Sequence, residues 1–266
     1  MDAWWLAYPL LGAVVGIFAG LLGVGGGAIM VPILTSLYTA QGFPAENVVH
    51  LALGTSMASI VLTSVSSSRA HHARGAVEWG VVRTMGPGVI IGIFLASFIA
   101  AALPSRPLAI FFACFIAYVC AQMLLDIKPK ASRQLPGPWG LAAAGAVIGA
   151  VSALVAIGGG SLTVPFLTWC NVPAHRAIGT SAALGLPIAL AGAIGYVVMG
   201  WGHPGLPPYS LGYVYLPAVI GVSAVSYFTA PLGAALAHRL PVRTLKRIFA
   251  LVLLALLAKM LHSLFG

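Results

Sequence analysis

The chain has 266 residues, 60% of them hydrophobic and 6% charged, with a mean hydropathy of +1.03, whereas soluble domains carry roughly 25% charged residues. That balance excludes a soluble domain and identifies an integral membrane protein. The formal net charge of +9 rests on 13 Lys and Arg spread over short loops between apolar runs, so it reads as a topology signal and excludes a nucleic-acid surface.

A spanning helix requires about 20 apolar residues. The first apolar run, 8–38, is interrupted by Gly25-Gly26-Gly27, with Pro32 and Leu34-Thr35 downstream. No Lys or Arg precedes it and Asp2 has the wrong sign for a secretory leader, so the first helix is expected to be retained. Helices follow at about 47–68, 79–102 and 107–125, and residues 1–126 make a first repeat. A linker, 127–138, holds Lys128, Pro129, Lys130, Arg133, Pro136 and Pro138. The second repeat, 139–266, opens with an apolar run over 140–170 broken by Gly158-Gly159-Gly160, with Pro165 and Leu167-Thr168 beyond. Helices are predicted after it at about 174–199, 211–237 and 243–265.

The halves match in three places. The glycine triplets lie 133 residues apart, and the same offset pairs Gly16 with Gly149. Ala52-Leu53-Gly54-Thr55-Ser56 matches Ala177-Ile178-Gly179-Thr180-Ser181 at an offset of 125, with His50 and His175 in register. Leu103-Pro104 and Arg106 match Leu240-Pro241 and Arg243 at 137. Charge decides how the halves sit. If both triplet segments cross the bilayer, the 13 cations divide seven to six. If each segment instead enters and leaves on one side, as two half-helices of roughly 11 to 17 residues that reach mid-bilayer, each repeat has three full crossings and the halves are inverted. Eleven cations then share a side, and only Arg106 and Lys259 lie opposite. Eleven against two is the bias of a cytoplasmic face, so the expected fold is an all-α membrane protein of two inverted repeats with both termini outside. A continuous, kinked first segment is the alternative.

Broken backbone at membrane depth is tolerated only where it is buried in protein or lines a wet cavity. Each half-helix that starts after a triplet presents unpaired N–H groups and a positive dipole end, which suit an anion. Pro32 and Pro165 are placed in or just past the first turn of these helices, where a missing N–H is tolerated. The candidate substrate-binding residues are Gly25, Gly26, Gly27, Thr55, Ser56, Gly158, Gly159, Gly160, Ser161, Thr180 and Ser181. Hydroxyls donate to an anion without adding fixed charge, and Thr55, Ser59 and Thr63 share one helix face at a spacing of four. Two other roles stay open: glycines that allow close helix packing, and hydroxyls that bond back to their own helix.

His50, His175 and Arg176 are candidate gating residues at helix starts, with interfacial anchoring as the other reading. The four carboxylates, Asp2, Glu46, Glu78 and Asp126, all fall in loops or at helix ends, which argues against a buried carboxylate relay and against a cationic substrate. Cys114, Cys120 and Cys170 lack metal-ligand spacing, and no metal or cofactor is implied. An enzyme is not expected: Ser56 and His50 lie six residues apart, on opposite helix faces, and no Gly-x-Ser-x-Gly elbow is present.

With its paired glycine triplets, downstream prolines and Ala-x-Gly-Thr-Ser repeats, nearly the whole chain resembles the sulfite exporter TauE/SafE family of membrane anion transporters. The resemblance implies a multi-pass protein of the bacterial inner membrane that moves sulfite or an organosulfonate, commonly outward. The expected function is a secondary anion transporter, with an uncoupled anion channel as the alternative. Expected partners are the small anion and the lipid bilayer, with a homodimer left open. Ala28 stands where the second half has Ser161, making the second half-helix start the more polar.

Overall fold

The computed structural model describes residues 4–265 apart from 24, 126–132, 238, 240 and 241. Most of the linker, with Asp126, Lys128 and Lys130, and Asp2 therefore lie outside the described residues. The described chain forms α1 (Trp4–Leu22), α2 (Gly27–Ala40), α3 (Ala45–His72), α4 (Trp79–Ala102), α5 (Ser105–Leu124), α6 (Pro138–Val155), α7 (Gly160–Trp169), α8 (Ala174–Met199), a hairpin of β1 (Ser210–Leu211) and β2 (Val214–Tyr215), α9 (Leu216–Ala237) and α10 (Val242–Phe265). Seven helices, α1, α3, α4, α5, α6, α8 and α9, are long and apolar enough to cross a bilayer among the described residues.

Glycine chemistry breaks both apolar runs in the same way. Gly26 and Gly159 cap α2 and α7 in the left-handed conformation, with φ of 82° and 80°. Gly23 ends α1 with φ 66°, and its counterpart 133 residues on, Ala156, ends α6 with φ 47° despite having a Cβ. The limbs are less equal than the expected half-helices of 11 to 17 residues. At 19 and 18 residues, α1 and α6 can each cross a membrane, whereas α2 has 14 and α7 has 10. Pro32 and Pro165 also sit deeper than expected, at the sixth residue of α2 and α7. There each removes the N–H that would bond the carbonyl of Ala28 or Ser161. The helix expected from 211 begins at Leu216, because Gly212, with φ 55°, folds the preceding residues into the hairpin.

Small residues set the packing. Gly12, Gly16 and Gly20 follow one face of α1 against Val222, Ser226 and Ala230 of α9, so these two helices run parallel. The equivalent pair, α6 and α4, does the same, with Gly88 and Gly92 against Ala142 and Ala146, and Gly145 and Gly149 against Met85 and Val89. Gly16 and Gly149, paired in the sequence, thus occupy matching interfaces of the small-residue type that lets membrane helices approach closely. Between these pairs α3 and α8 cross antiparallel, with Met57 on Gly192 and Ser64 on Gly185. Exchanging the halves maps the packing of α3 on α9 onto that of α8 on α4, and of α2 on α3 onto that of α7 on α8.

These directions define two ends of the bundle. Gln41, after α2, bonds the Tyr8 hydroxyl near the start of α1 at 2.9 Å, so the broken segment leaves where it enters. In the second half Arg133, before α6, lies over the Trp169 ring at the end of α7, with 5.1 Å from guanidinium carbon to ring centroid. The end that holds the α3 C-terminus and the α8 N-terminus also gathers Arg69, Arg74, Arg83, Arg133, Arg176, Arg239 and Arg247. Arg106 and Lys259 lie toward the other end, with the start of α1.

Candidate functional site

The two triplets meet. A Cβ placed on Gly25 would lie 2.9 Å from the Gly158 Cα, and one on Gly27 only 1.7 Å from the Ala156 carbonyl oxygen. Both are beside Ile60 at the middle of α3, and Gly185, at the middle of α8, faces the Gly158 carbonyl. Tip contact of this kind requires glycine, and in this conformation it leaves no room for an ion between Gly25 and Gly158. Close packing, the other role left open for the glycines, is part of what they do.

Beside the first tip lies a narrow crevice of about 150 Å³, too tight for a water molecule, lined by Ala19, Gly23, Gly25, Thr63, Ser64, Ser67 and Ala182. Thr63 and Ser67 belong to a stripe on α3 that recurs every fourth residue, Thr55, Ser59, Thr63, Ser67 and His71, all buried, and Ser64 stands beside it on the same helix. Along it Ser59 donates to the Thr55 carbonyl at 2.9 Å and Thr63 to the Ser59 carbonyl at 3.1 Å, so part of the stripe does bond back to its own helix. Thr63 Oγ1 also lies 2.7 Å from Ser226 Oγ of α9. His71 closes the stripe with Nε2 2.9 Å from the Gly20 carbonyl near the end of α1. Ser67 Oγ is buried with no hydrogen-bond partner. The first three members were expected to share a face. Ser67 and His71 continue the same spacing and were legible in it, but they were missed because the repeat motif ends at Ser56.

The Thr-Ser repeats divide their work. Thr55 Oγ1 accepts the Tyr215 backbone N–H at 3.0 Å, and Thr180 Oγ1 accepts the Glu78 N–H at 2.9 Å. These are matching bonds to the segments that precede α9 and α4. The serines differ: Ser181 donates to the Gly23 carbonyl at 3.1 Å, whereas Ser56 Oγ is buried without a partner. Ser161, at the start of α7, and Thr163 are likewise buried with unpartnered hydroxyls. A buried hydroxyl left without a partner forfeits about 1–3 kcal/mol, and Ser97, Ser152 and Ser223 elsewhere in the bundle are in the same position. Gly160 is buried as the first residue of α7.

The gating candidates stand at opposite ends. His50 is buried where α4 ends and α5 begins, with Nε2 3.2 Å from the Ala100 carbonyl, Nδ1 3.2 Å from Ser105 Oγ and the Tyr213 ring 5.1 Å away. His175 is exposed at the start of α8. Arg176 forms an exposed 2.6 Å ion pair with Glu78. Among the described residues, no group of three or more His, Cys, Asp or Glu side chains is arranged to hold a metal.

Known proteins are similar to nearly the full chain. The family model described as "Sulfite exporter TauE/SafE" matches residues 8–260. A probable membrane transporter protein of Haemophilus influenzae is 40% identical over 252 residues, which cover 94% of this chain and 96% of the relative. The probable membrane transporter protein MJ0441 of Methanocaldococcus jannaschii is 26% identical over 258 residues, with 93% of both chains covered. YunE, a probable membrane transporter protein of Bacillus subtilis, is 24% identical over 277 residues, with 96% of both covered. No solved structure matches the chain.

Proposed function

The chain belongs to the sulfite exporter TauE/SafE family, and from that we propose that it is a secondary transporter of a small sulfur-containing anion, sulfite or an organosulfonate, in the export direction. The observation that carries the proposal is the meeting of two glycine-broken segments at the crossing of α3 and α8, beside a crevice lined with buried hydroxyls. The helix starts after the triplets supply N–H donors and positive dipole ends. Ser67, Ser56 and Ser161 supply hydroxyls that lack partners in the closed state. Together with Gly25, Gly26, Gly27, Gly158, Gly159, Gly160, Thr55, Thr180 and Ser181 they form the proposed binding region.

The two halves act as inverted repeats, with the basic end cytoplasmic and the start of α1 outside. Antiparallel α3 and α8 support that reading, as does the return of each broken segment to its own end. Transport then requires the touching tips to part toward one face and re-form toward the other, the alternating access of repeat-built transporters. His50 and the Arg176–Glu78 pair, at opposite ends, are the proposed gates.

A transporter is favoured over an uncoupled channel because the tips touch at Gly25 and Gly158 and the crevice beside the first tip is too narrow for water. Sulfite efflux from proteoliposomes tests this. Saturable flux accelerated by sulfite on the opposite side supports a carrier, whereas flux proportional to the electrochemical gradient with no counter-flow supports a channel.

A further inference from the structure

At the basic end, away from the glycine tips, a groove of about 450 Å³ opens between α3 and α9. Its floor is apolar, from Ala70, Phe228 and Pro231, and its rim carries Arg69, Arg74 and Tyr227. Arg69 donates to the Tyr227 hydroxyl at 3.4 Å and Arg74 to the Ala70 carbonyl at 2.6 Å, so both guanidiniums turn to neutral groups. Among the described carboxylates, Glu78 is paired with Arg176 and Glu46 lies in the first turn of α3, at the opposite end. Ser66 fixes the wall by donating to the Tyr227 carbonyl.

The surroundings identify the occupant. Phe228 is 74% exposed, Leu232 58% and Leu62 46%, on a helix pair whose outward face meets acyl chains. Arg69 lies in the last turn of α3 and Arg74 two residues beyond its end, the level at which a spanning helix reaches the headgroups. A cationic rim above an apolar floor that opens sideways matches a phosphodiester headgroup with its acyl chain descending along α9. We propose that this groove binds an anionic phospholipid, with Arg69 and Arg74 on the phosphodiester and the acyl chain against Phe228 and Pro231. The site is distinct from the proposed transport site, and in the second half Ile194 stands 125 residues after Arg69.

The test uses the full-length protein in neutral detergent, titrated with dioleoylphosphatidylglycerol, dioleoylphosphatidylcholine or inorganic phosphate, with thermal unfolding and native mass spectrometry as readouts. Phosphatidylglycerol should raise the unfolding temperature saturably and remain as a bound adduct. Arg69→Gln with Arg74→Gln should weaken its apparent affinity roughly thirtyfold. Phe228→Ala, which keeps both charges, should weaken it less. Three results would overturn the proposal: an equal response to phosphatidylcholine, saturation by phosphate alone, or no adduct on the wild-type protein. The last needs no variant to fold.

Discussion

Gly27→Ala tests the tip contact most sharply. The added methyl would sit 1.7 Å from the Ala156 carbonyl oxygen and 2.8 Å from its carbon. Carbon-to-oxygen contacts settle at roughly 3.3 Å, so the start of α2 and the end of α6 must part by about 1.5 Å. The obstacle is backbone, and at Ala156 it is already held in the left-handed region, with φ 47°, so rotamer change offers no relief. Overpacking costs about 1–3 kcal/mol where neighbours can yield, and the upper end applies here. Replacing a helical glycine by alanine returns up to about 1 kcal/mol, leaving a net loss of about 2 kcal/mol. Gly80→Ala is the control: Gly80 is in the first turn of α4, with nothing within 4 Å of its Cβ position, and alanine there should be neutral or stabilise by up to about 1 kcal/mol. Reversible unfolding of the two variants in detergent should separate them by about 2–3 kcal/mol. Equal stabilities would refute the tip contact.

Thr55→Val and Thr180→Val each remove the acceptor for a backbone N–H, of Tyr215 and Glu78, and should each cost about 1–3 kcal/mol in the same assay. Serine at either position should restore most of the loss, and a valine variant as stable as wild type would show that these hydroxyls do not hold the segments before α9 and α4. Glu78→Gln breaks an ion pair whose side chains are 49% and 38% exposed, so stability should move by less than about 1 kcal/mol. A loss several times larger would mean the pair is a structural brace, whereas a changed flux at unchanged stability is the signature of a gate. His50→Ala should loosen the corner between α4 and α5, where the ring meets Ala100 and Ser105. Protease cleavage near residues 103–105 should accelerate, and an unaltered cleavage rate would count against this clip.

Much of the architecture was legible because membrane helices advertise themselves. The helix expected at 79–102 is observed as Trp79–Ala102 and that at 174–199 as Ala174–Met199, since turn residues bound long apolar runs. The glycine triplets marked both breaks, and the offset of 133 placed the two left-handed caps in register. Limb length was not readable, because nothing in an apolar run distinguishes a helix that stops at mid-bilayer from one that passes it. Ala156 left no trace either, because a left-handed helix end is ordinarily marked by glycine or asparagine and not by alanine. The hairpin at 210–215 was absorbed into a predicted helix because Leu211, Val214 and Tyr215 are apolar, and Gly212 alone signalled the turn. At the site, the motif drew attention to Thr55 and Ser56, and the spacing of four that leads on to Ser67 and His71 went unfollowed.

Ser67→Ala tests whether the glycine tips and their hydroxyls form the anion site. Ser67 Oγ is buried and unpartnered, so its removal should leave the unliganded protein as stable as wild type or more so. A hydrogen bond to a charged ligand contributes about 1.5–3 kcal/mol, so loss of this donor should weaken binding roughly ten- to a hundredfold. Calorimetric titration of both proteins with sulfite is the measurement. Wild type should bind sulfite saturably, and the variant, at undiminished stability, should give a weaker isotherm. Identical isotherms for the two proteins, or no saturable sulfite binding to the wild type, would contradict this.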